Sequence, residues 1–444
     1  MSNDTRPSFD AGPQWFGHPR GLTILFLTEM WDQFSFFGMR ALLVYYMTKQ
    51  LLIGQAHSSY IYGLYTSFVY FTPLIGGALS DRYLGRKRAV VIGASIMALG
   101  HFMMAFEPLF YAALATIALG NGLFLPSLTS QINELYAPGD PRRSTAYSIY
   151  YVGINLGAFL APLICGTVGE LYGWHWGFGL AGIGMIVGLV TYLSGSRYLP
   201  RDRALARTEG QKTAGTPFAT YLLLFCVIAI VVLFRGAYEQ SGNTFALWAD
   251  SGVDRHAGGF AIPMTWFQSL NPLFIFMFTP LIVARWSARA RAGDTSGAVS
   301  KMAIGAFTVG LSYFLLAALT TLMATVSWLW VVAFFIVYTI GELFILPVGL
   351  GLFGRLAPAH LTATAIAAWF MAAFFGNLLA GGVGALWSVM TPAAFFASVG
   401  ALGGLSGLLL LTLSRWANRT ERDAETAKTE SDLAAAALAT DSRH

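Results

Sequence analysis

The sequence predicts an all-α membrane protein of twelve transmembrane helices in two six-helix bundles, on three observations. Of its 444 residues, 56% are hydrophobic and 11% charged, against about 25% charged in a soluble domain. Runs of about twenty apolar residues, the length a helix needs to cross the hydrocarbon, recur twelve times. The bases gather in the polar segments at one side of these runs, the asymmetry that orients a chain in a bilayer.

In order, the runs cover 21–48, 58–80, 87–106, 109–134, 143–168, 175–195, 218–247, 262–285, 301–323, 328–353, 361–388 and 392–414. The first twenty residues are polar and contain Pro and Gly, so a cleaved leader is not expected. Small-residue clusters, GLAGIGMIVG at 179–188 and GNLLAGGVG at 376–384, suit close helix packing. The basic, turn-rich segment 196–217 divides six runs from six. The expected organisation is a tail at 1–20, a first bundle at 21–195, a linker at 196–217, a second bundle at 218–414 and a tail at 415–444, charged and then Ala-rich and expected to fray. With the N-terminus inside, most of the 27 Lys and Arg fall in cytoplasmic segments, so both termini are expected in the cytoplasm of a cell with an inner, cytoplasmic membrane. The basic pI is thus a topology signal, not a nucleic-acid footprint.

Other chemistries find no footing. Cys165 and Cys226 both lie in apolar runs, which argues against a disulfide framework, a thiolate metal site and a redox pair. His18, His57, His175 and His256 lack metal-ligand spacing, and His101 closes an apolar run as a packing histidine. No catalytic triad or phosphate loop is visible. An enzyme, a cofactor and a metal are therefore not expected.

The first run contains EMWDQFSFFGMR at 29–40. Glu29, Gln33 and Arg40 recur on one helix face, flanked by Asp32. A charge at the bilayer centre costs about 2.5–3.5 kcal/mol even on lenient scales, so such residues are expected to line a wet cavity or a substrate path. Arg235 and Glu239 lie four apart in the seventh run, on one face, and Glu342 lies in the tenth. Four embedded acids (Glu29, Asp32, Glu239, Glu342) face two bases (Arg40, Arg235), an imbalance that a proton-coupled carrier can use. Arg40 stands about six residues past the centre of its run, roughly 9 Å at 1.5 Å per residue. Glu239 is expected at similar depth, where the two could close a gate.

Twelve runs in two halves suggest the major facilitator architecture, and GGALSDRYLGRKR at 76–88 resembles its loop signature. Gly77 and Gly85 give the turn, and Asp81, Arg82, Arg86 and Lys87 serve topology and gating. GHPRGLTILFLTEMWDQFSFFGMRALLVYYM (17–47) resembles the opening of the proton-dependent oligopeptide transporters, the peptide branch of that superfamily. YSIYYVGINLGAFLAPLICGTVGELYGWHWGFGLAGIGM (147–185), AYEQSGNTFALWAD (237–250), WFQSLNPLF (266–274), GELFILPVGL (341–350) and WFMAAFFGN (369–377) are similar to later helices of that family.

The resemblance implies proton-coupled uptake of di- or tripeptides by alternating access, in a monomeric carrier expected to need only its substrate, protons and lipid. It implies that Arg40 binds the peptide carboxylate and pairs with Glu239, and that Asn155, Asn271 and Glu342 hold the amino end. Tyr70 matches a pocket tyrosine and Trp369 an aromatic of a side-chain pocket. Glu29, Asp32 and Glu239 become candidate proton carriers.

Departures qualify this. The family's first-helix motif, two acids followed by arginine, ends here in Asp32 and Gln33. Leu125 stands where the family has lysine before a proline, and Leu346 replaces a serine. Arg235 replaces a tryptophan, and is expected to restore positive field and meet the anionic end of the substrate. Two other readings stay open: a carrier of the same fold for another anionic or zwitterionic solute, or one working without protons; and a non-transporting membrane sensor. Each residue also has a packing role as its alternative. Glu29 and Asp32 could be fixed structural acids, Arg235 a permanent partner of Glu239, and the asparagines caps of bent helices.

Overall fold

The computed structural model describes residues 14, 15, 17–137, 140–200, 218–293, 296–356 and 362–441. The tail up to residue 13, the linker from 201 to 217 and residues 442–444 lie outside the described residues.

Among the described residues, fourteen α-helices build twelve helical rods. The first half comprises α1 (Arg20–Tyr45), α2 (Gln55–Leu79), α3 (Arg86–Met103), α4 (Phe110–Glu134), α5 (Arg142–Ala161) with its continuation α6 (Thr167–Tyr172), and α7 (Trp174–Gly195). The second comprises α8 (Phe218–Tyr238) with α9 (Thr244–Ser251), α10 (Leu270–Arg291), α11 (Ala298–Leu322), α12 (Trp328–Leu356), α13 (Thr362–Ala385) and α14 (Pro392–Asp441). Of the described helical rods, nine are long and apolar enough to cross a membrane. The first three are more polar. The rod of α1 carries Glu29, Asp32, Gln33 and Arg40, α2 is rich in Tyr, Ser and Thr, and α3 opens on Arg86, Lys87 and Arg88. Most observed ends fall within about three residues of the apolar runs, some beyond them and some short, as α3 is at Met103. The largest departure is the C-terminal tail, expected to fray from 415: α14 continues unbroken to Asp441.

In the first half α1 packs on α5 and α7, α3 on α4 and α7, and α2 on α4. In the second, α11 packs on α12 and α14, and α8 on α13 and α14. One apolar core draws its buried residues from Leu223 to Ala417; two others draw theirs from Leu22 to Leu199. Across the halves, α2 meets α13 and α5 meets α10.

Prolines interrupt the hydrogen bonding of α2 and α4, and for α2 a neighbouring helix answers the gap. Pro73 in α2 has no N–H to offer the Val69 carbonyl; Asn121 Nδ2 of α4 donates to that oxygen at 2.9 Å instead. Pro126 in α4 likewise frees the carbonyl of Gly122. That oxygen abuts Gly76 of α2, 2.1 Å from where a Cβ would stand, so only glycine fits there. A membrane helix tolerates proline when an adjacent helix satisfies the freed group.

Three π-turns interrupt the rods, at Tyr46–Gln50, Ser80–Leu84 and Pro162–Gly166. The second carries the loop motif. Gly85 follows it at φ 76°, a left-handed conformation that turns the chain into α3. Asp81 lies 3.7 Å from Arg86 Nε, and Arg86 also pairs with Glu134. Lys87 Nζ donates to the carbonyls of Ser196 (2.9 Å) and Leu199 (3.2 Å), tying α3 to the end of the first half. Arg82 is exposed, and Gly77 lies beside Pro126 with room for a Cβ.

Candidate functional site

A cavity of about 200 Å³ lies between the halves, walled by α1, α2, α5, α8, α10 and α12. Phe37, Arg40, Tyr70, Tyr151, Asn155, Arg235, Tyr238, Glu239, Asn271, Glu342 and Leu346 are among its lining. A larger recess of about 610 Å³ opens in the second half among Trp286, Lys301, Arg355 and Glu421. It contains none of the embedded ionisable groups, so the cavity between the halves is the candidate site.

One wall is cationic. Arg40 projects from α1 with its side chain largely buried. Its Nη2 lies 2.7 Å from Glu239 Oε2, and its Nε donates to Tyr62 Oη at 2.7 Å. Glu239 begins the tight turn Glu239–Ser241 that breaks α8 from α9, which swings the carboxylate toward the other half. Arg235, one helical turn earlier, places Nη1 2.9 Å from Glu239 Oε1. Its guanidinium carbon sits 5.3 Å from the centre of the Tyr70 ring, a cation–π contact. Two guanidinia thus share one carboxylate, each taking a different oxygen.

Another wall is anionic. Glu342 of α12 accepts a hydrogen bond from Asn271 Nδ2 at 2.6 Å, and the same nitrogen reaches Thr339 Oγ1 at 3.1 Å. Tyr238 joins this group through its hydroxyl. Asn155 lines the cavity, donates its Nδ2 to the Tyr151 carbonyl of its own helix at 3.0 Å, and also bonds the Tyr151 side chain. Trp369 stands apart. Its indole packs over Gly349 and 5.3 Å from the Phe353 ring, and the described cavity wall forms without it.

Glu29, Asp32 and Gln33 form a second cluster, inside the first half. Gln33 Nε2 donates to Glu29 Oε1 at 2.9 Å and to Asp32 Oδ2 at 3.3 Å. Tyr150 Oη donates to Glu29 Oε2 at 2.5 Å and lies 3.3 Å from Thr129 Oγ1. Glu29 and Asp32 are buried, and the described residues that line the cavity do not include them. The expected stripe from Glu29 to Arg40 therefore runs over two depths of α1: Arg40 lines the cavity, while Glu29, three turns earlier, bonds Tyr150 of α5 outside the described lining.

Beyond Arg40 and Glu239, one end of the molecule is held shut by contacts between the halves. Tyr45 Oη donates to the Ala246 carbonyl (2.6 Å), Ser59 Oγ to Asn243 Oδ1 (3.0 Å) and Gln55 Nε2 to the Gly384 carbonyl (3.0 Å). Lys49 pairs with Asp250 at 2.5 Å. Glu170 of α6 accepts the backbone N–H groups of Met264 (3.0 Å) and Thr265 (2.9 Å), the first two residues of the turn leading into α10. A carboxylate from one half thus caps a helix start in the other, where an anion is favoured.

Sequence reasoning missed Tyr62, Tyr150, Tyr238 and Glu170. Tyr62 and Tyr70, eight apart on α2, share a face, a signal available in the sequence. Tyr150 and Glu170 offer no such pattern, since their partners are remote in the chain.

Similarity to known proteins accords with this geometry. The sequence matches the POT family over residues 87–205 and 216–399, well over half of the chain. It is 33% identical over 460 residues to the peptide transporter YePEPT of Yersinia enterocolitica, covering 86% of this chain and 90% of that one. It is 30% identical over 480 residues to a di-/tripeptide transporter of Lactococcus lactis subsp. cremoris, covering 90% and 96%. Among solved structures, the peptide transporter POT in complex with alafosfalin superposes with a TM-score of 0.85 at 29% identity, over 94% of this chain and 99% of that one.

Proposed function

The chain belongs to the POT family of membrane transporters, and from that premise we propose that it takes up di- and tripeptides, or peptide-like zwitterions, by alternating access coupled to protons. The observation that carries this reading is a cavity between the halves with guanidinia on one wall and a carboxylate–amide group on another. A zwitterion needs a cation at one end and acceptors at the other, and in a dry cavity either wall is costly unless its charge is matched.

In the proposed cycle the closed end faces outward and both termini lie in the cytoplasm, as the distribution of bases favours. Arg40 takes the substrate carboxylate, and Arg235, held against Tyr70, adds positive field on the same wall. Glu342, Asn271 and Asn155 take the substrate's amino group. Trp369, packed on α12 in this conformation, would reach a side-chain pocket only after rearrangement. Glu29 and Asp32, buried and bonded among the described residues to the neutral side-chain donors Gln33 and Tyr150, are the proposed proton carriers, and the Arg40–Glu239 link is the proposed gate. Substrate must bind the two states with different energies, since equal affinity moves nothing.

Uptake of labelled dialanine into proteoliposomes, with and without an imposed pH gradient, tests the reading. We expect accumulation that needs an acidic outside. Entry indifferent to the gradient removes the coupling, and no entry removes the peptide. In purified protein we expect dipeptides to raise the melting temperature, and Glu342→Gln to weaken that effect at least tenfold in ligand concentration; an unchanged titration removes Glu342 from the amine site. A second reading, a carrier for another small anion or zwitterion, is favoured by Arg235 and by the apolar Leu125 and Leu346. A melting-temperature response to such solutes without one to dipeptides selects it.

A further inference from the structure

Glu239 is gripped from both halves at once. Arg40 approaches Oε2 from α1, and Arg235 holds Oε1 from within its own helix. We propose that Arg235 is the resident counter-ion of Glu239, a positioning residue that lets the closed end open without a proton on that carboxylate. This rests on the reading of the Arg40–Glu239 link as a gate.

Because the two arginines use different oxygens, separating the halves removes one bond and leaves the other intact. Arg235 and Glu239 are i and i+4 on one rod, so they travel together. The Arg235 stem is wedged against α13 of the same half, with its Cβ 2.4 Å from where a Cβ on Gly376 would stand. Arg235 and Glu239 are 7% and 3% exposed, so a carboxylate stripped of both arginines would be left charged in a desolvated place.

Among the described residues, the surroundings of Glu239 offer no substitute. Around Glu239 stand Tyr62 and Tyr70 of α2, Tyr313 of α11, Glu342 of α12 and its neighbour Tyr238. These are phenols and a second acid. Arg40 and Arg235 are the two bases among the described residues lining the cavity. Were Arg235 neutral, losing Arg40 would force Glu239 either to take a proton or to remain closed. With Arg235 present, a substrate carboxylate can displace Glu239 from Arg40, exchanging one anion for another there while Glu239 keeps a cation.

Spin labels at His57 and Val389, exposed residues of different halves at the closed end, report opening as a longer distance. They are placed in protein lacking Cys165 and Cys226 and reconstituted in nanodiscs without ligand. At pH 7.5 we expect Arg235→Gln to lower the ratio of open to closed molecules at least fivefold. We expect the deficit to shrink at pH 5.5, as a proton replaces the missing base, and to vanish at pH 7.5 when Glu239→Gln is added. No deficit at pH 7.5, or one that Glu239→Gln does not remove, overturns the proposal. Arg235→Met replaces the glutamine variant if that protein does not fold. Dialanine uptake by the unlabelled wild type is measured in parallel. Its absence would sink the peptide reading, while the ligand-free distances still decide the role of Arg235.

Discussion

At the scale of single residues, charge counting governs the site. Removing one partner of a buried ion pair costs about 3–5 kcal/mol, because the other charge is stranded. Glu239→Ala strands two guanidinia at once, so we expect a loss at the upper end of that range. Glu239→Gln, which keeps a hydrogen-bond acceptor, should lose less. Thermal unfolding of the two variants in detergent checks the order, and equal melting temperatures would refute it. The residues of this cluster were legible in the sequence, since an arginine or glutamate inside an apolar run is conspicuous. Their hydroxyl partners were not. A tyrosine in a chain with 19 of them does not reveal which rod it will face, and the Tyr150–Glu29 bond spans 121 positions. Depth within α1 was the harder reading. Spacing put Glu29 and Arg40 on one stripe, yet eleven residues set them about 16 Å apart along the helix, and the described cavity lining holds only Arg40 of the two.

At the scale of elements, α2 and α4 behave as one repaired unit. Asn121 answers a carbonyl that Pro73 leaves free, so Asn121→Leu buries an unsatisfied oxygen at a cost of about 1–3 kcal/mol. Pro73→Ala returns an N–H to the Val69 carbonyl, so the double variant should recover most of that loss. A double-mutant cycle on thermal stability measures the coupling, and purely additive losses would show that the asparagine acts elsewhere. The apolar runs located both rods, while the exchange between them was not legible. Neither Pro73 nor Asn121 says in the sequence which helix lies alongside.

At the scale of the whole molecule, the expectation of two halves rested on a polar, basic segment that interrupts the apolar runs. The closing contacts were legible only in part: Arg40 and Glu239 stood out as charges, whereas Ser59 and Asn243 carry none. Ser59→Cys with Asn243→Cys places two thiols at facing γ positions, one bond closer to the backbone at 243 than the Oδ1 that now lies 3.0 Å from Ser59 Oγ. Oxidation should link the halves and stop uptake, and a reductant should restore it; transport that survives linkage would rule out parting of this end. The final helix carries its own consequence. Fifty residues of continuous α14 make a mast about 75 Å long at 1.5 Å per residue, whereas the hydrocarbon is about 30 Å thick. A fluorescent reporter fused behind it would ride well clear of the lipid surface, leaving the mouth of the carrier unobstructed.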